Sequence, residues 1–168
     1  MKYFLAIALL AATPAAANIA VEFREGAPKD RFTFTNVGDC AIGAATLTLD
    51  LGESAAGLIF DTTGAGAGVE VFQPYETVAG ESVLDSVSPV SDGDSEITLT
   101  LNGLPAGQSV AFTIDVDDTL RHSALGQIQV TDSEIAGATV TLSGVSGEVF
   151  GVFDNTSRAL VRTASCTS

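Results

Sequence analysis

Apolar residues recur at every second position along most of this chain, and that period restricts its fold more than any other feature. In Arg31-Phe32-Thr33-Phe34-Thr35-Asn36 two aromatics alternate with threonine. Successive side chains of an extended strand point to opposite faces, so both rings lie on one side. The same pattern turns Leu47, Leu49 and Leu51 away from Thr46, Thr48 and Asp50, and Ile97, Leu99 and Leu101 away from Thr98 and Thr100; Val110, Phe112, Ile114 and Val116 repeat it. Shorter runs at 19–23, 57–60, 69–72, 127–131, 138–142, 148–153 and 159–162 bring the expected strands to about eleven. Glycine-rich and acidic turn clusters separate them, among them Gly64-Ala65-Gly66-Ala67-Gly68, Ser91-Asp92-Gly93-Asp94 and Pro105-Ala106-Gly107. Nothing has the spacing of a long helix. The expectation is an all-β chain folded as an antiparallel β-sandwich of immunoglobulin-like or jelly-roll type, with a closed barrel as the alternative.

The first residues read as a processing signal. Lys2 precedes an apolar run from Tyr3 to Ala12, and Pro14 leads into Ala15-Ala16-Ala17, small residues that suit an A-x-A cleavage site. The reading is a signal peptide over 1–17 and a single β-sandwich domain over 18–168, carried to the periplasm or the outside of the cell. The run is about half of the roughly 20 residues a membrane-spanning helix requires, and no later segment offers a second one. The chain carries 21 acidic against 7 basic side chains, a net charge of -14, which excludes nucleic-acid binding through a basic face. Cys40 and Cys166 are the only two cysteines. An even count in an exported chain points to one structural disulfide that staples the tail to an early strand, since a metal or redox pair would want closer spacing such as C-x-x-C.

The segment with most chemistry is Thr113-Ile114-Asp115-Val116-Asp117-Asp118. With Ile114 and Val116 facing the core, Asp115 and Asp117 share the outer face about 7 Å apart, and Asp118 opens the following loop. Asp115, Asp117 and Asp118 are the candidate ligands for calcium, which takes six to eight oxygens from carboxylates, carbonyls and water; a solvated acidic strand end is the plain alternative. Asp92-Gly93-Asp94-Ser95-Glu96 lacks the glycine and glutamate positions of an EF-hand and reads as a turn. Asp39 and Asp61 sit beside turns without an assignment. Catalytic residues are not apparent: His122 is the sole histidine, and no serine stands in a G-x-S-x-G elbow. Tyr75, beside Gln73, is the one aromatic that suggests a sugar platform; the phenylalanines read as core.

Taken together, Phe32-Thr33-Phe34-Thr35-Asn36 leading to Gly38-Asp39-Cys40, Thr46-Leu47-Thr48-Leu49-Asp50-Leu51, Gly57-Leu58-Ile59-Phe60-Asp61, Gly66-Ala67-Gly68-Val69-Glu70-Val71-Phe72-Gln73-Pro74 and Phe112-Thr113-Ile114-Asp115-Val116-Asp117-Asp118-Thr119 resemble the small bacterial exported proteins labelled aggregation factor core. The label comes from the proteoglycan-like core of sponge aggregation factors, which work in calcium-dependent adhesion. What the resemblance implies is an exported β-fold and a role in adhesion, through a cell-surface or matrix component or through self-association. A glycan or small-ligand binding module that uses the loops at one end of the sandwich is the competing expectation.

Overall fold

The computed structural model describes residues 16–69, 71–123, 125–145 and 147–163. The strands are β1 (Asn18–Arg24), β2 (Asp30–Asn36), β3 (Ala45–Asp50), β4 (Ile59–Asp61), β5 (Glu76–Ala79), β6 (Leu84–Val87), β7 (Glu96–Leu101), β8 (Ser109–Asp117), β9 (Thr139–Gly144), β10 (Gly147–Val152) and β11 (Arg158–Arg162). One helical turn, α1 (Asp132–Ile135), joins β8 to β9 and is capped by Thr131 and Glu134. Every strand pairing is antiparallel. One sheet runs β11-β1-β2-β8-β4, with β5 also on β8; the other runs β10-β9-β3-β7-β6. The chain is thus an all-β sandwich of two antiparallel sheets packed face to face. Among the described residues no helix is long and apolar enough to cross a membrane.

The alternating positions build the core as the periodicity requires. Ile19, Val21, Phe32, Phe34, Val110, Phe112, Ile114 and Val116 line the inner face of the first sheet, and Leu47, Leu49, Ile97, Leu99, Leu101 and Val140 that of the second; all are buried. Phe112 is the hub, with its ring centroid 5.2 Å from Phe32, 6.0 Å from Phe34 and 5.0 Å from Tyr75. Tyr75 is therefore turned toward the sandwich, with its hydroxyl 2.9 Å from Thr77 Oγ1, and does not stand free as a platform.

Two expected strands are not strands. Residues 69–72 and 127–131 are irregular, and the count of strands is made up by β5 and β6. Val69 alternates well enough, but its amide donates to Asp117 Oδ2 at 2.7 Å instead of to a neighbouring strand. The 127–131 segment closes the end of β8, where the Asp118 amide donates to the Gln127 carbonyl at 3.0 Å. β5 and β6 pair with register shifts, so neither shows a clean period of two.

The expected leader lies outside the described residues except for Ala16 and Ala17. The Asp39 amide donates to the Ala16 carbonyl at 3.0 Å, the Ala17 amide donates to Thr163 Oγ1 at 3.2 Å, and Thr163 Oγ1 donates in turn to the Ala17 carbonyl. The expected Cys40–Cys166 disulfide falls outside the described residues with Cys166, but these bonds bring Thr163, three residues before Cys166, beside the strand that leads to Cys40. Asn36 pins this region from within. Fully buried, it donates from Nδ2 to the carbonyls of Cys40 and Leu104, each at 2.8 Å, and accepts from the Gly38 amide at 3.0 Å. Asn36→Ala strands these backbone groups and is expected to cost about 2 kcal/mol. A urea midpoint unchanged from the parent protein would contradict that role for the side chain.

Candidate metal centre

β8 is longer than its neighbours, and its last third is partnered by β4 alone. Asp61 stands directly opposite Asp115 in that pairing, Phe60 opposite Val116 and Ile59 opposite Asp117. Residues opposite one another in an antiparallel pair share a face, and so do residues two apart on one strand. Asp61, Asp115 and Asp117 therefore all project from the same outer side of the sheet. One carboxylate oxygen of each lies within 4.8 Å of the others.

This outer side is nevertheless dry. Between β4 and β5 the chain leaves the sheet and folds over the acids: the Gln73 amide donates to the Asp61 carbonyl at 3.2 Å, and the Asp115 amide to the Gln73 carbonyl at 3.2 Å. Asp61, Asp115 and Asp117 retain 2%, 3% and 1% of their exposure. The glycine-rich stretch, expected as a turn, is what allows so close a cover. A Cβ on Gly68 would lie 2.1 Å from the carboxyl carbon of Asp61, and one on Gly66 would lie 1.4 Å from Asp92 Oδ2. Asp92, read from the sequence as an ordinary turn residue, ties the loop down by accepting from the amides of Thr62 (2.8 Å), Thr63 (2.9 Å) and Ala67 (2.6 Å).

The electrostatics are those of anions packed without a counter-charge. Asp61 Oδ1, Asp115 Oδ2 and Asp117 Oδ1 are buried with no hydrogen-bond partner, and the ion pairs among the described residues involve none of the three. Burial pushes the Asp115 carboxyl up to about 7, with the charges of Asp117, Asp61 and Glu25 adding to it. Burial, then Asp92 and Asp117, raise Asp61 to about 6. Asp117 is also raised, chiefly by burial, against the amide bond from Val69 that favours its charge. Asp92 goes the other way: burial opposes its charge, yet the three loop amides hold it down at about 2. Two ionised carboxylates 4.8 Å apart repel by about 3 kcal/mol at an effective dielectric constant near 20, and like charges directly across a ladder are unfavourable in any sheet.

A divalent cation resolves that arrangement. Three oxygens within 4.8 Å of one another leave a point about 2.8 Å or less from each, a few tenths of an ångström beyond the 2.3–2.6 Å of a calcium–oxygen contact. The donors are hard oxygens only, which suits calcium or magnesium and not zinc or copper. Of the three residues expected from the sequence, Asp115 and Asp117 come together here. Asp118 is buried beside them with Oδ2 unpartnered, but its other oxygen accepts from the Leu120 amide at 2.8 Å and it is not one of the converging three. Its place is taken by Asp61. His122 is exposed in the loop after β8.

The site is thus a buried all-carboxylate cluster at a sheet edge, sealed by a glycine-rich loop. Compared with known proteins, the chain matches no family model, no curated protein and no solved structure.

Proposed function

We propose that this is an exported, non-enzymatic β-sandwich protein that holds calcium on Asp61, Asp115 and Asp117 and acts in adhesion, joining a cell-surface or matrix component or a second copy of itself. The observation that carries the calcium reading is the three unpartnered buried oxygens converging under one loop. Buried carboxylates without a cation or a donor are costly, and a bound ion turns that cost into a gain. The adhesive role rests on the resemblance to aggregation factor core proteins and on the apolar run at the start of the chain that reads as an export signal. A non-enzymatic reading fits the acids being closed under the loop and the single histidine being exposed away from them.

Adhesion is tested with the mature protein coupled to beads. The expected result is clumping in 2 mM calcium that reverses with chelator and is absent from beads carrying Asp117→Asn. Clumping that is equal with and without calcium would overturn the calcium-dependent role. The competing reading, a glycan-binding module, is favoured by a different surface, taken up next.

A further inference from the structure

The chain is strongly acidic, yet its few positive charges are gathered on one face. Of the six lysines and arginines among the described residues, Arg24, Arg31, Arg158 and Arg162 lie on the outer side of β1, β2 and β11. The strand registers fix their order. Arg24 stands opposite Arg31, Glu22 opposite Arg158, and Asn18 opposite Arg162. The four arginines therefore form a strip about 20 Å long, six residue steps at roughly 3.3 Å each.

Two clefts run along this strip. One of about 600 Å³ is lined by Ala20, Thr33, Thr35, Phe150, Arg158 and Arg162; a smaller one of about 250 Å³ is lined by Glu22, Arg24, Arg31 and Thr33. Phe150 forms the rim of the larger cleft and is 67% exposed. It is held there because Gly151 packs against the Leu160 backbone, where a Cβ would come within 2.8 Å. The only acid at the centre of the strip, Glu22, reaches Arg24 at 3.8 Å and Arg158 at 3.9 Å, long surface contacts that contribute little. No ion pair among the described residues serves Arg31 or Arg162, and the Arg24–Arg31 juxtaposition is itself repulsive.

We infer that this strip is a binding groove for a linear anionic polysaccharide, one carrying carboxylate or sulfate groups. Arginine forks match such oxyanions in bidentate fashion, the Thr33 and Thr35 hydroxyls offer partners for sugar hydroxyls, and the exposed Phe150 ring offers an apolar face for a pyranose. Charge complementarity selects an anion, and the net charge of -14 selects the kind. A second copy or another acidic protein would bring its whole negative surface against this one over the several hundred Å² a stable interface requires. A thin polymer touches the groove alone.

The test is titration of the purified mature protein, in chelator, with dextran sulfate, with neutral dextran of the same length and with poly-glutamate, alongside sedimentation of the protein by itself. The expected result is saturable binding to dextran sulfate that weakens with salt, none to neutral dextran, and at least a tenfold loss for Arg158→Ala/Arg162→Ala. Arg121→Ala, off the strip, leaves binding unchanged, and all variants keep the parental melting temperature within a few degrees. Arg31→Ala alone, a single exposed change, supplies a second reading of the same loss should the double variant fold poorly. Equal binding by the arginine variants would overturn the groove. Poly-glutamate binding as tightly as dextran sulfate would overturn the sugar assignment, and salt-sensitive self-association lost in the double variant would make the occupant a second copy. Asp117→Asn leaves dextran sulfate binding intact, which separates this site from the calcium site.

Discussion

Adding calcium to the chelated protein at pH 7.5 is expected to raise its melting temperature by about 5–10 °C, and Asp117→Asn is expected to abolish that rise. A ligand that binds only the folded state at a hundred times its dissociation constant adds about 2.7 kcal/mol, and in a domain of this size each kcal/mol moves the midpoint by about 2–4 °C. With three carboxylates and an extracellular setting, a dissociation constant of about 0.1–1 mM is the fitting range, so 10 mM calcium suffices. Asp117→Asn preserves the shape and an acceptor for the Val69 amide, but it replaces the unpartnered Oδ1 with a neutral group. The same substitution removes one of the repelling charges, so the calcium-free variant is expected to be more stable than the calcium-free parent. The two effects have opposite signs, and a merely structural aspartate would not produce both. Asp118→Asn, outside the converging three, keeps the calcium response; a response lost in Asp118→Asn and retained in Asp117→Asn would reverse the ligand assignment.

Without calcium, the fold is expected to be more stable at pH 5 than at pH 8, by a few kcal/mol. Asp115 at about 7 and Asp61 at about 6 titrate well above their unfolded value of 3.8. Between about pH 4 and 7 the folded state therefore binds more protons than the unfolded state, and stability falls as pH rises. Asp30 continues the trend higher. Burial and the neighbouring Glu25 push it to about 9, against amide bonds from Gly26 and Val116. Asp92, with its lowered value, loses its favourable contribution only as pH falls from about 4 toward 2, below this window. Calcium opposes the trend, because protons and the ion compete for the same oxygens: its affinity is expected to drop as pH falls through 7 toward 6. Urea midpoints at pH 5 and pH 8, with chelator and with calcium, check both statements. A calcium-free midpoint that climbs steadily from pH 5 to pH 8 would show that the acids are not desolvated as the structure has them.

The sheets were readable from sequence because their signal is local. Phe32 and Phe34, or the Thr-Leu-Thr-Leu run that opens β3, announce a buried face within five residues. The site was only half readable. Asp115 and Asp117 sit on one strong strand, so their shared face follows from the period of two. Asp61 reaches them only through the β4–β8 pairing, a long-range contact that no local pattern encodes, and its sole trace is an acid at the end of Gly57-Leu58-Ile59-Phe60. Asp118 was drawn in by adjacency alone, although its carboxylate is engaged by its own turn. The loop misled in the other direction. Val69-Glu70-Val71-Phe72 alternates like a strand, but its backbone serves the acids, and Gly66 and Gly68 are small for the sake of the carboxylates beneath them. The arginine strip left no sequence motif at all, since its four members come from three strands.

The most direct test is a crystal structure of the protein grown in 10 mM calcium, with diffraction data collected so that calcium's anomalous signal is measurable. The account predicts one anomalous peak beneath the 64–68 loop, with oxygens of Asp61, Asp115 and Asp117 at about 2.3–2.6 Å from it. A map in which those three carboxylates hold only water or contact one another, with no ion among them, would contradict it.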